Sequence, residues 1–325
     1  MRLAHFGIGA LVACRGLPAC GAVSGPPPPS CEPGGPGLTD CGSEREVCCA
    51  SLGVNGGTFF RTYVNEDGGP PANEADPATV SDFRLDKYLV TVGRFRRFVV
   101  AWNAGKGYLP PAGSGKHAHL NGGKGLENGQ SPGRFEQGWV ASDDEFVAPT
   151  DANLSCPSGT WTSSPQANET LPATCVNWYE AYAFCIWDGG FLPSEAEWVY
   201  AAAGGDQQRE FPWGSTDPGS KGKYAIYYSP YDHDRTAPVG TAALGAGLWG
   251  QLDLAGEVEE WTLDGYSARY VNPCTDCSAL THVTARAAHG GYYAYDKSWL
   301  YPWYRVSGLD GERGPNFGFR CARSP

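Results

Sequence analysis

The chain has 325 residues, a net charge of -11 from 24 basic and 35 acidic side chains, and 45 Gly and 26 Pro. A charged fraction of 18% beside 13% aromatic residues excludes a disordered chain and fits a globular domain with long, turn-rich connections. The acidic balance and the lack of a Lys/Arg cluster exclude the basic footprint of a nucleic-acid binder.

In chain order, residues 1–22 read as an export signal: Arg2 supplies a positive start and residues 3–13 are apolar apart from His5. Small residues precede Cys14 (LVAC) and Cys20 (LPAC), so either cysteine fits a lipoprotein-type cleavage site and could tether the chain to a membrane. Ordinary cleavage near Ala22 is the alternative. The apolar run is shorter than the ~20 residues of a membrane span. The expected location is the cell envelope, as a periplasmic protein or outer-membrane lipoprotein, or the exterior. Of the 12 cysteines, two fall in that leader and the rest form an even set, which suits disulfides in an oxidising compartment.

Residues 23–50 read as a Pro/Gly linker running into a knot of Cys31, Cys41, Cys48 and Cys49, whose pairing stays open. The main domain is expected over residues 51–325. Residues 80–88 read as a strand. Thr91 then offers an N-cap to a helix whose Phe95, Phe98, Val99 and Trp102 share one face, with Gly105 as its end. Residues 105–172 are irregular, a loop long enough to be functional or stapled, here by Cys156. Asn177 with Glu180, and Ser194 with Glu197, form capping boxes that open two helices. Short aromatic strands between Gly and Pro turns follow, so the fold class is α+β and loop-rich. Cys156 and Cys175 flank the irregular region and are expected to pair. Cys274 and Cys277 have zinc-ligand spacing, but no second such pair accompanies them, and a stapled turn is preferred. His117 and His119 have strand spacing for a metal, against the commoner reading of exposed loop histidines; His289 reads as packed or solvated.

Several segments together resemble the formylglycine-generating enzyme (sulfatase-modifying factor) family. They are residues 54–59 (VNGGTF), 86–91 (DKYLVT), 175–187 (CVNWYEAYAFCIW), 190–201 (GFLPSEAEWVYA), 211–214 (FPWG), 253–261 (DLAGEVEEW), 286–291 (RAAHGG) and 318–321 (GFRC). Their order is collinear over the expected domain. The resemblance implies a variant of the C-type-lectin-like fold in a bacterial exported member, and in active relatives oxidation of a cysteine in a CxPxR sulfatase peptide with O₂ and copper(I). Aligned from Gly290 and Gly291, the copper-binding cysteine positions are held by Tyr295 and Leu300, and the usual Ser position by Tyr292. Leu cannot ligate copper and a phenol is a poor Cu(I) ligand, so copper is not expected and catalytic residues are not assigned.

The same resemblance implies that Cys185 and Cys321 pair. It also implies a Ca²⁺ site with carboxylates from Asp253 and Glu260 and carbonyls from Gly256 and Val258; a second family calcium site is expected to be lost at Ile226. The expected function is therefore a monomeric, non-catalytic binding protein for a glycan or polypeptide. Its candidate surface is the aromatic run containing Tyr293, Tyr295, Trp299 and Trp303. The alternative is a formylglycine-generating oxidase using another metal arrangement.

Overall fold

A computed structural model describes residues 28–65, 68–220, 222–228, 235–281 and 284–325. The expected signal, with Cys14 and Cys20, lies outside the described residues. Among the described residues, no helix is long and apolar enough to cross a membrane.

The domain opens with strands β1 (Ser51–Val54), β2 (Gly57–Val64), β3 (Ala72–Val80) and β4 (Phe83–Asp86), then helix α1 (Val92–Trp102). The irregular region carries a short strand, β5 (Glu127–Asn128), and one helical turn, α2 (Asp151–Leu154). Helices α3 (Trp178–Trp187) and α4 (Glu195–Ala203) follow, then β6 (Glu259–Gly265), β7 (Cys274–Thr275) and β8 (Cys277–Ser278). The chain closes with β9 (Ala285–His289), β10 (Arg305–Leu309), β11 (Phe317–Gly318) and β12 (Ala322–Arg323). The largest sheet has the order β10-β9-β6-β11; smaller ones are β1-β4-β12, β2-β3-β7 and β5-β8.

The local chemistry explains the helices. Thr91 Oγ1 accepts from Arg94 N–H, and both expected capping boxes are formed, at Asn177/Glu180 and Ser194/Glu197. Helix α1 stops at Asn103, which takes the left-handed conformation ahead of the expected Gly105. Asn tolerates that region because its short amide bonds locally. The strand expected over residues 80–88 is broken at Ser81 and Asp82. Both Ser81 N–H and Oγ bond Asp276 at 2.7 Å, and Asp82 accepts from Gly56 N–H at 2.7 Å, so β3 ends and β4 restarts after them.

The main core joins α1 and α3 through Phe95, Phe98 and Phe184 and receives Phe319 from the end of the chain. Residues 30–50, read from sequence as separate from the domain, pack onto it. Cys31–Cys49 and Cys41–Cys48 sit in one buried cluster with Tyr88, Leu89, Val239 and Leu252. The irregular region is held down by buried Trp139, Leu154 and Trp161 and by the Cys156–Cys175 disulfide. Cys185 of α3 is joined to Cys321, across 136 residues.

That last bond ties the final strand to the central helix. Closing a loop of that length removes unfolded-state entropy worth roughly 4–5 kcal/mol before native strain is subtracted. Replacing Cys185 and Cys321 together by Ala is expected to lower unfolding free energy by about 2–5 kcal/mol. Urea denaturation measures it; an unchanged midpoint would show that the staple contributes nothing.

Candidate functional site

At the end of β9 the backbone leaves the sheet through Gly290 and Gly291, with φ of 101° and 66°. A Cβ on Gly291 would stand 2.7 Å from the Trp299 carbonyl oxygen, so only Gly lets the segment fold back this tightly. The return is fixed by Asp296, which accepts from Ser298 N–H at 2.9 Å at the start of a turn over Lys297–Leu300.

This turn separates Tyr295 from Leu300, the two residues that the sequence resemblance aligns with copper-binding cysteines. Leu300 points inward, 1% exposed, into a cluster with Phe211, Ala225, Tyr227 and Ala255. Tyr295 stays half-buried against Tyr292 and Trp299, with ring centroids 4.3 and 4.1 Å away, and Trp299 continues to Tyr304 at 4.1 Å. Burial, reinforced by Glu259, pushes the Tyr295 phenol up to about 12. It is a neutral hydroxyl at ordinary pH.

Of the candidate surface residues, Tyr295 and Trp299 share this strip. Tyr293 does not: it is 7% exposed because its backbone N–H is drawn to the Glu257 carbonyl, turning the ring inward. Trp303 stacks on Tyr301 and meets Tyr63 edge-on, beside a separate hollow bounded by Thr62, Tyr270 and Arg305. The strip instead includes Tyr292 and Tyr304.

Sequence reasoning missed the group beneath it, Glu259 of β6. Its Oε2 accepts from Asn316 Nδ2 at 2.7 Å, its Oε1 is buried without a partner, and burial pushes the carboxyl up to about 7. The available signal was its place in an acidic run leading into a strand whose every residue is buried.

The acidic segment before β6 divides its carboxylates. Glu260, expected as a calcium ligand, places both oxygens on Arg320, at 2.6 and 2.8 Å, deep in the core. Asp253 accepts from Gly240 N–H through Oδ2 at 2.6 Å and leaves Oδ1 buried without a partner. Glu257, which the sequence reading passed over, is wholly buried and accepts from Ala237 N–H at 3.0 Å. Burial first, then the Asp253 charge, pushes the Glu257 carboxyl well up; burial brings Asp253 to about 6. The Gly256 carbonyl takes Val258 N–H at 2.8 Å. Among the described residues, no three His, Cys, Asp or Glu side chains converge as a metal-binding group. All ten cysteines among the described residues are in disulfides, Cys274–Cys277 included.

Residues 41–325 match the profile of the sulfatase-modifying factor enzyme 1-like domain. The chain belongs to the formylglycine-generating enzyme family. The formylglycine-generating enzyme of Thermomonospora curvata is 30% identical to it, over 87% of this chain and 96% of the relative. A mouse relative named inactive C-alpha-formylglycine-generating enzyme 2 is 25% identical, over 85% of this chain and 86% of its own. Among solved structures, PvdO from Pseudomonas aeruginosa aligns with a TM-score of 0.58 at 21% identity, covering 85% of this chain and 94% of that one. That likeness concerns the fold.

Among the described residues of this family domain, His117, His119 and His289 serve the scaffold. His117 is fully buried between Glu136 and Glu197, with ring nitrogens 3.1 Å from each carboxylate, so neither nitrogen faces a metal. The expected exposed loop is instead drawn inward by this ion pair. His119 is half-buried and bonds Ser324. His289 is packed on Trp198 and held between Glu195 and the Tyr304 carbonyl.

For His117, burial opposes the charge, but Glu136 and Glu197 outweigh it and push the pKa up to about 10. A folded pKa above the unfolded ~6.5 means stability present below that value and lost as pH rises toward about 10. The melting temperature is expected to fall across that window, and His117→Gln is expected to flatten the decline. An equal slope in both proteins would exclude the charged pairing.

Proposed function

We propose that this chain is an exported, non-catalytic member of its family that binds a glycan or polypeptide on the strip of Tyr292, Tyr295, Trp299 and Tyr304. The observation that carries the reading is the state of the sulfur. Copper(I) chemistry of the family's kind needs soft thiolates, and every cysteine among the described residues is held in a disulfide. Leu300 fills its position with an apolar side chain packed among others, and Tyr295 offers a protonated phenol. The residues present do not fit copper. What remains is a half-exposed row of rings with hydroxyl edges, and such rings stack on sugar faces and on peptides alike. The leader and the disulfides support export, with Cys14 or Cys20 as the lipid-carrying residue of a tethered form.

The test sets the two classes side by side. Copper-loaded protein, incubated with a CxPxR peptide under oxygen, is expected to give no aldehyde by mass or hydrazide capture. A glycan or peptide array is expected to give a ligand, and Trp299→Ala is expected to weaken it about tenfold, the order of a lost stacking contact. Aldehyde formation would reinstate the oxidase.

We also propose calcium as a structural cofactor. Asp253 and Glu257 are its carboxylates, with carbonyl oxygens of Gly256 and Val258, while Glu260 serves Arg320. The support is the unpartnered, buried Asp253 Oδ1 beside a second buried carboxylate, a pairing that a hard dication would neutralise. Calcium at about a hundred times its Kd is expected to stabilise the fold by about 2.7 kcal/mol. A melting temperature indifferent to calcium and to chelator, or an Asp253→Asn variant that responds as the parent does, would remove the site.

A further inference from the structure

A second hollow lies away from the aromatic strip, at the start of β9. It is a cleft of about 550 Å³, and Arg286 forms part of its lining. That size suits a small organic molecule. Arg286 is only 9% exposed, and its guanidinium sits 3.6 Å over the Trp178 ring. Its Nη1 donates to the Leu263 carbonyl at 3.3 Å, while its Nε is buried with no partner. Burial pushes its pKa down, and Tyr179, Asp310, Asp143 and Asp264 act to keep the charge. Two carboxylates also border the cleft: Glu136 is taken up by His117, and Asp143 acts on the Arg286 charge.

A buried guanidinium Nε without a hydrogen-bond partner is a costly donor to leave unsatisfied. The donors along one edge of a guanidinium are spaced for the two oxygens of a carboxylate, which gives a bidentate, charge-assisted pair. Part of the wall is apolar or aromatic, formed by Trp178, Tyr182, Leu263 and Leu280, and the rest is polar, with Arg134, Gln137 and Asp143 among it. Trp178 is anchored by its own Nε1–H on the Thr262 carbonyl at 2.8 Å, and Tyr182 by its hydroxyl on the Gly115 carbonyl at 3.3 Å. The wall is therefore preformed and not recruited by a ligand.

We infer that this cleft binds a carboxylate carried on an aromatic or other flat apolar body, with the carboxylate on Arg286 and the body against Trp178, Tyr182 and Leu280. The carboxylate can come from a free small acid or from the C-terminus of a peptide ending in an aromatic residue. The inference is independent of ligand binding at the aromatic strip.

Isothermal titration of the full chain tests it, with benzoate, N-acetylphenylalanine, a pentapeptide ending in Phe, the amide of each, and inorganic phosphate. At least one free acid is expected to bind saturably and its amide at least about tenfold more weakly. The tighter of the small acids and the peptide names the source. Arg286→Gln is expected to abolish binding. Ser142→Trp, placed at the exposed rim of the cleft, is expected to block it without touching Arg286, so the test stands if the first variant fails to fold. No binding of any acid by folded protein, equal binding of acid and amide, binding of phosphate alone, or parent-like binding by Ser142→Trp would each overturn the assignment.

Discussion

Two aspartates and two arginines, largely closed off from water, hold the ends of this chain to its middle. Arg94 of α1 donates to Asp86 at 3.1 Å and to Asp188 at 2.7 Å, with all three side chains fully buried. Arg323 of β12 meets the same two carboxylates at 3.2 and 2.7 Å. Ser30 completes the group: its N–H donates to Asp188 and its hydroxyl accepts from Arg94. Charges in such a place are tolerated only when each is matched, and removing one partner costs roughly 3–5 kcal/mol. The cluster therefore makes the N-terminal cysteine segment, β4, α1, the end of α3 and the last strand a single unit. It explains why residues 30–50 behave as part of the domain.

A second buried pair, Glu260 with Arg320, continues that logic toward the candidate site. Arg320 also donates to the Asp86 carbonyl at 3.2 Å, which links it to the first cluster. With Glu260 fixed, its strand neighbours Glu259 and Trp261 are fixed in different environments. Trp261 stacks on Phe317 at 4.1 Å under Gly308, where a Cβ would collide with both rings. Glu259 is left beneath the aromatic strip. The site thus inherits its geometry from salt bridges that take no part in it.

Helix caps and core faces were legible in the sequence because they depend on neighbours three or four residues away. Thr91, Asn177 and Ser194 declare their helices by side-chain chemistry alone. Strand β3 was not legible, since its Asn, Glu, Asp and Pro disfavour strands and it joins the sheet by pairing with β2 in a shifted register, with Asn73 and Asp76 in the left-handed conformation. The same limit applied to the site. That Tyr293 turns inward while Tyr292 and Tyr295 stay half-buried depends on a backbone bond to Glu257, on a distant stretch of chain. His117 illustrates it again: a histidine in a Gly-rich run looks exposed until Glu136 and Glu197 are seen to enclose it.

The Arg286 cleft and the strip differ in what they can recognise. Burial raises the phenols of Tyr292, Tyr295 and Tyr304, with Glu259 adding to each, so the strip presents neutral hydroxyls and ring faces. A negative ligand would meet the Glu259 field there, whereas a neutral polyol or peptide would not suffer from it. The cleft has a different character, the Arg286 charge against the Trp178 ring with polar residues and the carboxylates of Glu136 and Asp143 on its border. β9 connects them: Arg286 near its start faces one, and the Gly290–Gly291 exit after its end shapes the other. A short strand paired on both sides in the largest sheet gives both a rigid base, so the fold can vary the chemistry at either end without moving the other.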